Sequence, residues 1–208
     1  STDFSSLQPV AEARSPAGLF EPASGLGLAF THRENDYVDF EEHPLRLHML
    51  SRLGPGLAVG DADGDGRDDL YVGGAAGQSG TLRIQQEDGT FRPIDGPWTA
   101  DSSAEDTGAL FFDADGDGDA DLYVVSGGAE AEEGSDRYRD RLYLNEGEGR
   151  YRPAPEALPE TDASGSCIVS SDFDRDDDLD LFVCGRVRPD TYPRSPESYL
   201  LENRSVSP

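Results

Sequence analysis

Three times in 208 residues the chain passes through the pattern Asp-x-Asp-x-Asp-x-x-x-Asp, each time between two short apolar runs. The first copy sets Asp61, Asp63, Asp65 and Asp69 between Leu57-Ala58-Val59 and Leu70-Tyr71-Val72. The second sets Asp113, Asp115, Asp117 and Asp121 between Leu110-Phe111-Phe112 and Leu122-Tyr123-Val124. The third sets Asp172, Asp174, Asp176 and Asp180 between Ile168-Val169 and Leu181-Phe182-Val183. The loops begin 52 and 59 residues apart. A period of this size marks an array of like units that bury their apolar faces against one another.

Apolar runs this short, rich in β-branched and aromatic residues and broken by Gly and Asp, read as strands joined by hairpin-like loops. A second hairpin follows in two of the units: Thr81–Ile84 and Thr90–Arg92 flank Asp88-Gly89, and Arg141–Leu144 and Arg150–Arg152 flank Gly147 and Gly149. The third unit supplies Ser198–Leu201 as a third strand. Four strands in about 50 residues is the spacing of a propeller blade. The expected fold is therefore all-β, with β-propeller-type blades of four antiparallel strands at 51–100, 101–160 and, incomplete, 161–208. Residues 1–50 form an irregular N-terminal segment, in which Gly25–Phe30 is a candidate blade-completing strand. His43–Leu53 reads as a short helix or a loop. Three blades do not close a propeller, which takes about four to eight. The arc is incomplete, or another copy or a missing segment completes it, because open strand edges are avoided.

The loop chemistry points to a divalent cation. Four carboxylates held within a few ångströms repel by roughly 4 kcal/mol per pair at an intermediate dielectric, so a tight loop of this kind calls for a cation. Ca2+ suits it, taking about six to eight hard oxygen ligands in irregular geometry. The backbone carbonyl of position 7 (Arg67, Asp119, Asp178) and water would complete each of three sites. Mg2+ demands a tighter octahedron, and soft metals would want sulfur or imidazole. An EF-hand is excluded: it needs Glu at position 12, where Val72, Val124 and Val183 stand in strand-like runs. The plain alternative is an acidic, solvated turn without metal, against which three copies in one strand context argue. In the third loop Arg175 and Asp177 replace the glycines of positions 4 and 6, Gly64 and Gly66 in the first loop and Gly116 and Gly118 in the second. Asp tolerates a left-handed backbone better than most residues but less well than Gly.

Composition narrows the partners. With 43 acidic against 17 basic residues the formal charge is −26, and every basic residue is Arg. Self-repulsion of that size wants cations, and the missing basic footprint excludes nucleic acid and anionic membrane as partners. An acidic, Lys-free surface also suits a high-salt, halophilic environment. No run of about 18 apolar residues is present to insert in a membrane, and Ser1–Phe4 shows no signal peptide. Cys167 and Cys184 flank the third loop and are either a cross-strand disulfide or two small buried residues, depending on register. His32, His43 and His48 have no recognised ligand spacing. Trp98, Tyr71, Tyr123 and Phe182 read as core or interblade packing. No nucleophile elbow, phosphate loop or Cys-His pairing is present, so the expectation is a protein without catalysis.

These residues resemble the FG-GAP repeats of integrin α-chain propellers and their bacterial VCBS relatives. Ser51–Asp61 and Gly185–Pro193 with Ser198–Asn203 are similar to segments of the bacterial group that joins such repeats to an ASPIC/UnbV module, related to cartilage acidic protein. The resemblance implies a propeller whose blades carry calcium between their first two strands. It also implies a secreted or cell-surface role in adhesion, with an extracellular protein or glycan as partner. Self-association would complete the ring. The alternatives are a polysaccharide-active enzyme on a propeller and a calcium-stabilised spacer of a larger surface protein.

Overall fold

The computed structural model describes residues 21–161, 163–191 and 193–205. Ser1–Phe4 and Tyr192, on which parts of the sequence reading rest, lie outside the described residues. Among the described residues, eleven strands form three antiparallel sheets, each a meander in chain order. The first holds β1 (Leu57–Gly60), β2 (Asp69–Val72), β3 (Thr81–Gln85) and β4 (Phe91–Ile94). The second holds β5 (Glu105–Phe112), β6 (Asp121–Gly127), β7 (Arg141–Asn145) and β8 (Tyr151–Pro153). The third holds β9 (Ser164–Ser171), β10 (Asp180–Val187) and β11 (Tyr199–Leu201). Each sheet is one blade of an incomplete propeller, and each Asp loop joins the first two strands of its blade.

The blades pack face to face because each strand buries alternate residues on opposite faces. The cross-strand row Ala58–Tyr71–Leu82 of blade 1 and the row Phe111–Leu122–Tyr143 of blade 2 share one core, with Trp98 between them. Trp98 is fully buried and meets Tyr71, Tyr143 and Tyr151 edge-on, with ring centroids 5.6–6.0 Å apart. The next row of blade 2, Leu110–Tyr123–Leu142, packs on blade 3 with Ile168, Leu181 and Val183. The first strands of neighbouring blades lie side by side, β1 against β5 and β5 against β9. There Gly56 has no alternative: a Cβ would sit 2.8 Å from the backbone of Gly108. Asp106 clamps the same junction. Its carboxylate accepts the Tyr71 hydroxyl, the Gly74 N–H and the Arg141 guanidinium at 3.0, 2.8 and 2.7 Å.

The segment before β1 departs from expectation. Gly25–Phe30 forms no strand, since Gly25 and Gly27 have left-handed φ of 79° and 75°. It runs beside β4 instead: the Leu26 carbonyl accepts the Phe91 N–H, and the Gly27 and Ala29 carbonyls accept Arg83. Among the described residues the one α-helix is a single turn, Asp39–Glu42, and the chain beyond it to β1 is loop. The segment straps all three blades. Thr31 and Arg33 bond Gln78 of blade 1, Asn35 bonds Glu130 beside blade 2, and Arg46 bonds the Pro189 carbonyl beside blade 3. Asp39, fully buried, holds the strap's own turn by accepting from Arg46, Leu50 and Ser51. No helix among the described residues is long and apolar enough to cross a membrane.

Candidate metal centres

Each Asp loop is built by its own first carboxylate. Asp61 accepts the N–H groups of Gly64, Asp65 and Gly66 at 2.8, 3.0 and 2.8 Å. Asp113 accepts from Gly116 and Gly118 at 2.8 and 3.0 Å, and Asp172 from Arg175, Asp176 and Asp177 at 2.6, 3.3 and 3.4 Å. The ninth position ties the loop to its blade. Asp69 accepts Ala62 N–H and Gln85 N–H, Asp121 accepts Ala114 and Asn145, and Asp180 accepts Phe173 and Asn203.

This wrapping brings positions 1, 3 and 9 together: Asp61, Asp63 and Asp69; Asp113, Asp115 and Asp121; Asp172, Asp174 and Asp180. In each trio one ligand oxygen per residue lies within 4.8 Å of the others. Position 5 is turned differently. Asp65, Asp117 and Asp176 each accept the N–H of position 7 (Arg67, Asp119, Asp178), a local turn that Asp side chains favour, and Asp65 also pairs with the Arg67 guanidinium. The structure thus gathers three carboxylates per loop and places position 5 beside them.

The donors present fit a hard divalent cation. Oδ1 of Asp63 and Oδ1 of Asp115 are buried and accept no hydrogen bond. Burial raises Asp63, Asp69 and Asp115 above the ordinary carboxylate range and Asp121 to about 6, and neighbouring loop carboxylates push each further. Unpartnered oxygens and crowded negative charge are both relieved by one cation at the centre of the trio.

Sequence reading missed three residues. Asn145 and Asn203 end β7 and follow β11, and each donates its side-chain amide to two loops at once. Gln85 holds the matching place in blade 1 through its backbone. The Asn in Leu142-Tyr143-Leu144-Asn145 and Leu200-Leu201-Glu202-Asn203 recurs after the same apolar strand, which was the available signal. The two cysteines are opposite each other on β9 and β10 and form a disulfide, so the register puts them on one face.

Blades whose first hairpin wraps an Asp trio define a class of repeat in which a metal-type loop is part of the blade. Residues 61–124, from the first loop through β6, match the FG-GAP-like repeat family. The match covers less than a third of the chain and concerns the repeat rather than any narrower bacterial group. Comparison with curated proteins returned no match.

Proposed function

We propose that this chain is a calcium-binding module of the extracellular β-propeller type, without catalysis, that presents a rigid surface to a protein or glycan partner. The observation that carries the reading is the threefold Asp trio with unpartnered, buried Asp63 and Asp115 oxygens. Ca2+ is the favoured ion because every donor in the trios is a carboxylate oxygen in an irregular loop. The extracellular setting is supported by the Cys167–Cys184 disulfide, a bond that persists in oxidising compartments, and by the FG-GAP-like match.

The test is thermal unfolding in excess EDTA against a Ca2+ titration at fixed high salt. An ion bound only by the folded chain stabilises by RT ln(1 + [L]/Kd), about 2.7 kcal/mol per site at a hundredfold excess over Kd. The expected result is a Tm that climbs with Ca2+ and climbs less with Mg2+. A Tm indifferent to Ca2+ beyond the effect of salt would reduce the loops to acidic turns and end the proposal.

A further inference from the structure

One hydrogen-bonded line joins the three Asp trios across the blades. Asp180 Oδ1 accepts the Asn203 N–H at 2.8 Å, and Asn203 Nδ2 donates to the Ala114 carbonyl at 3.0 Å. The N–H of Ala114 donates to Asp121 Oδ2 at 2.7 Å. Asp121 Oδ1 in turn accepts the Asn145 N–H at 2.7 Å, and Asn145 Nδ2 donates to the Ala62 carbonyl at 2.9 Å. The N–H of Ala62 donates to Asp69 Oδ2 at 2.8 Å, and Gln85 N–H closes the line on Asp69 Oδ1 at 2.7 Å. The same three steps therefore occur twice: ninth-position Asp, the Asn at or just past the end of the blade's third strand, then the second-position residue of the preceding loop. Each residue crossed is held on both sides, its N–H by a trio member of its own loop and its carbonyl by the next blade.

We infer that the three loops take up Ca2+ cooperatively, with Asn145 and Asn203 as positioning residues that pass occupancy of one trio to the trio of the preceding blade. The inference rests on the calcium reading above. A loop without its ion has two demands in conflict. Its carboxylates repel, while Asp69, Asp121 and Asp180 must stay aligned to hold their peptides. An ion in the second loop removes that conflict at Asp121. Asp121 then fixes the backbone and side chain of Asn145, which fixes the Ala62 peptide and so presents Asp69 to the first site. Asn145 is buried and its amide bonds both Ala62 and the Ala120 carbonyl of its own loop, so its position cannot shift without loosening both. Coupling of this kind is reciprocal between sites, and it is about 5- to 150-fold in affinity when present.

The test is calorimetric Ca2+ titration of the whole chain in a double-mutant cycle. Asp172→Asn disables the third site, and the expected result is that the second site weakens at least 5-fold although its own residues are untouched. Asn203→Ala should erase that effect, so that adding Asp172→Asn to it no longer alters the second site. Asn145→Ala should weaken the first site in the same way while leaving the third unchanged. Far-UV circular dichroism, matched between variants, excludes simple unfolding, and Asn203, which is only part-buried and at the arc's edge, supplies the tolerant variant should Asn145→Ala not fold. Three ions bound independently, or additive effects of Asp172→Asn and Asn203→Ala, would overturn the inference and leave the calcium reading standing. No ions bound would overturn both.

Discussion

Arg175 and Asp177 sit at φ of 70° and 76°, where the other two loops use Gly64, Gly66, Gly116 and Gly118 at 78–91°. A side chain in that region crowds its own carbonyl at about 1–2 kcal/mol, and the third loop shows the cost. Its N–H bonds from Asp176 and Asp177 to Asp172 stretch to 3.3 and 3.4 Å, against 3.0 and 2.8 Å for the same bonds in the first loop. Arg175→Gly and Asp177→Gly are each expected to relieve about 0.5–1 kcal/mol. In thermal unfolding each substitution should raise the Tm by the matching amount, and an unchanged or lower Tm would show that the backbone there is unstrained. The Asp spacing and the two departures from Gly were both legible in the sequence, because a metal loop is a local object whose demands fall on consecutive residues. The turning of position 5 onto position 7 was not, since four equivalent carboxylates carry no mark of which three converge.

Among elements, the strands were the readable part and the strap was not. Every predicted strand from Leu57 to Leu201 falls on one of the eleven observed, because alternation and Gly/Asp turns record pleat and hairpin directly. The strap has no periodicity. It is held by scattered polar bonds to residues tens of positions away, and such partners leave no local trace. Its underside also carries a charge conflict. Glu105, which opens β5, is buried; one oxygen accepts the Leu53 N–H and the other, near the Glu130 carboxylate, has no partner. Burial first, then the charges of Glu130 and Glu34, raise Glu105 from 4.5 to about 9, with His32 bonded to Glu34 nearby. The folded chain thus keeps a proton that the unfolded chain releases near 4.5. This contribution to stability is full below 4.5 and declines as pH rises toward about 9, by up to about 1.4 kcal/mol per pH unit. Glu105→Gln should therefore melt higher than the parent chain at pH 8 and equal to it near pH 4. A variant that melts lower at pH 8 would mean that the ionised carboxylate is the working form.

On the scale of the whole molecule, the interblade rows predict where the arc is unfinished. The row Ala58–Tyr71–Leu82 is covered by blade 2, and Tyr123 with Leu142 is covered by blade 3. The matching row of blade 3, Val169–Phe182–Leu200, is 57%, 44% and 53% exposed, and Phe173 of the third loop is 49% exposed. Large apolar side chains on one open face would suit packing against a further blade. A further blade, from a second copy or from additional chain, is its natural complement. Sedimentation should show concentration-dependent self-association at high salt that Phe182→Glu abolishes without lowering the Ca2+-bound Tm. A chain that stays monomeric at every concentration would end the self-association reading.

The disulfide shares that face. Cys167 is exposed, in the place where blade 1 has Gly56 and blade 2 has Gly108, the two residues whose missing side chains let their strands nearly touch. Sulfur now fills the gap that glycine leaves empty between the first two blades. Whatever packs beyond the third blade must stand off from β9 and β10 by the thickness of that bridge. The cystine is thus a fixed spacer on the open face of the third blade, where the first two blades carry only glycine.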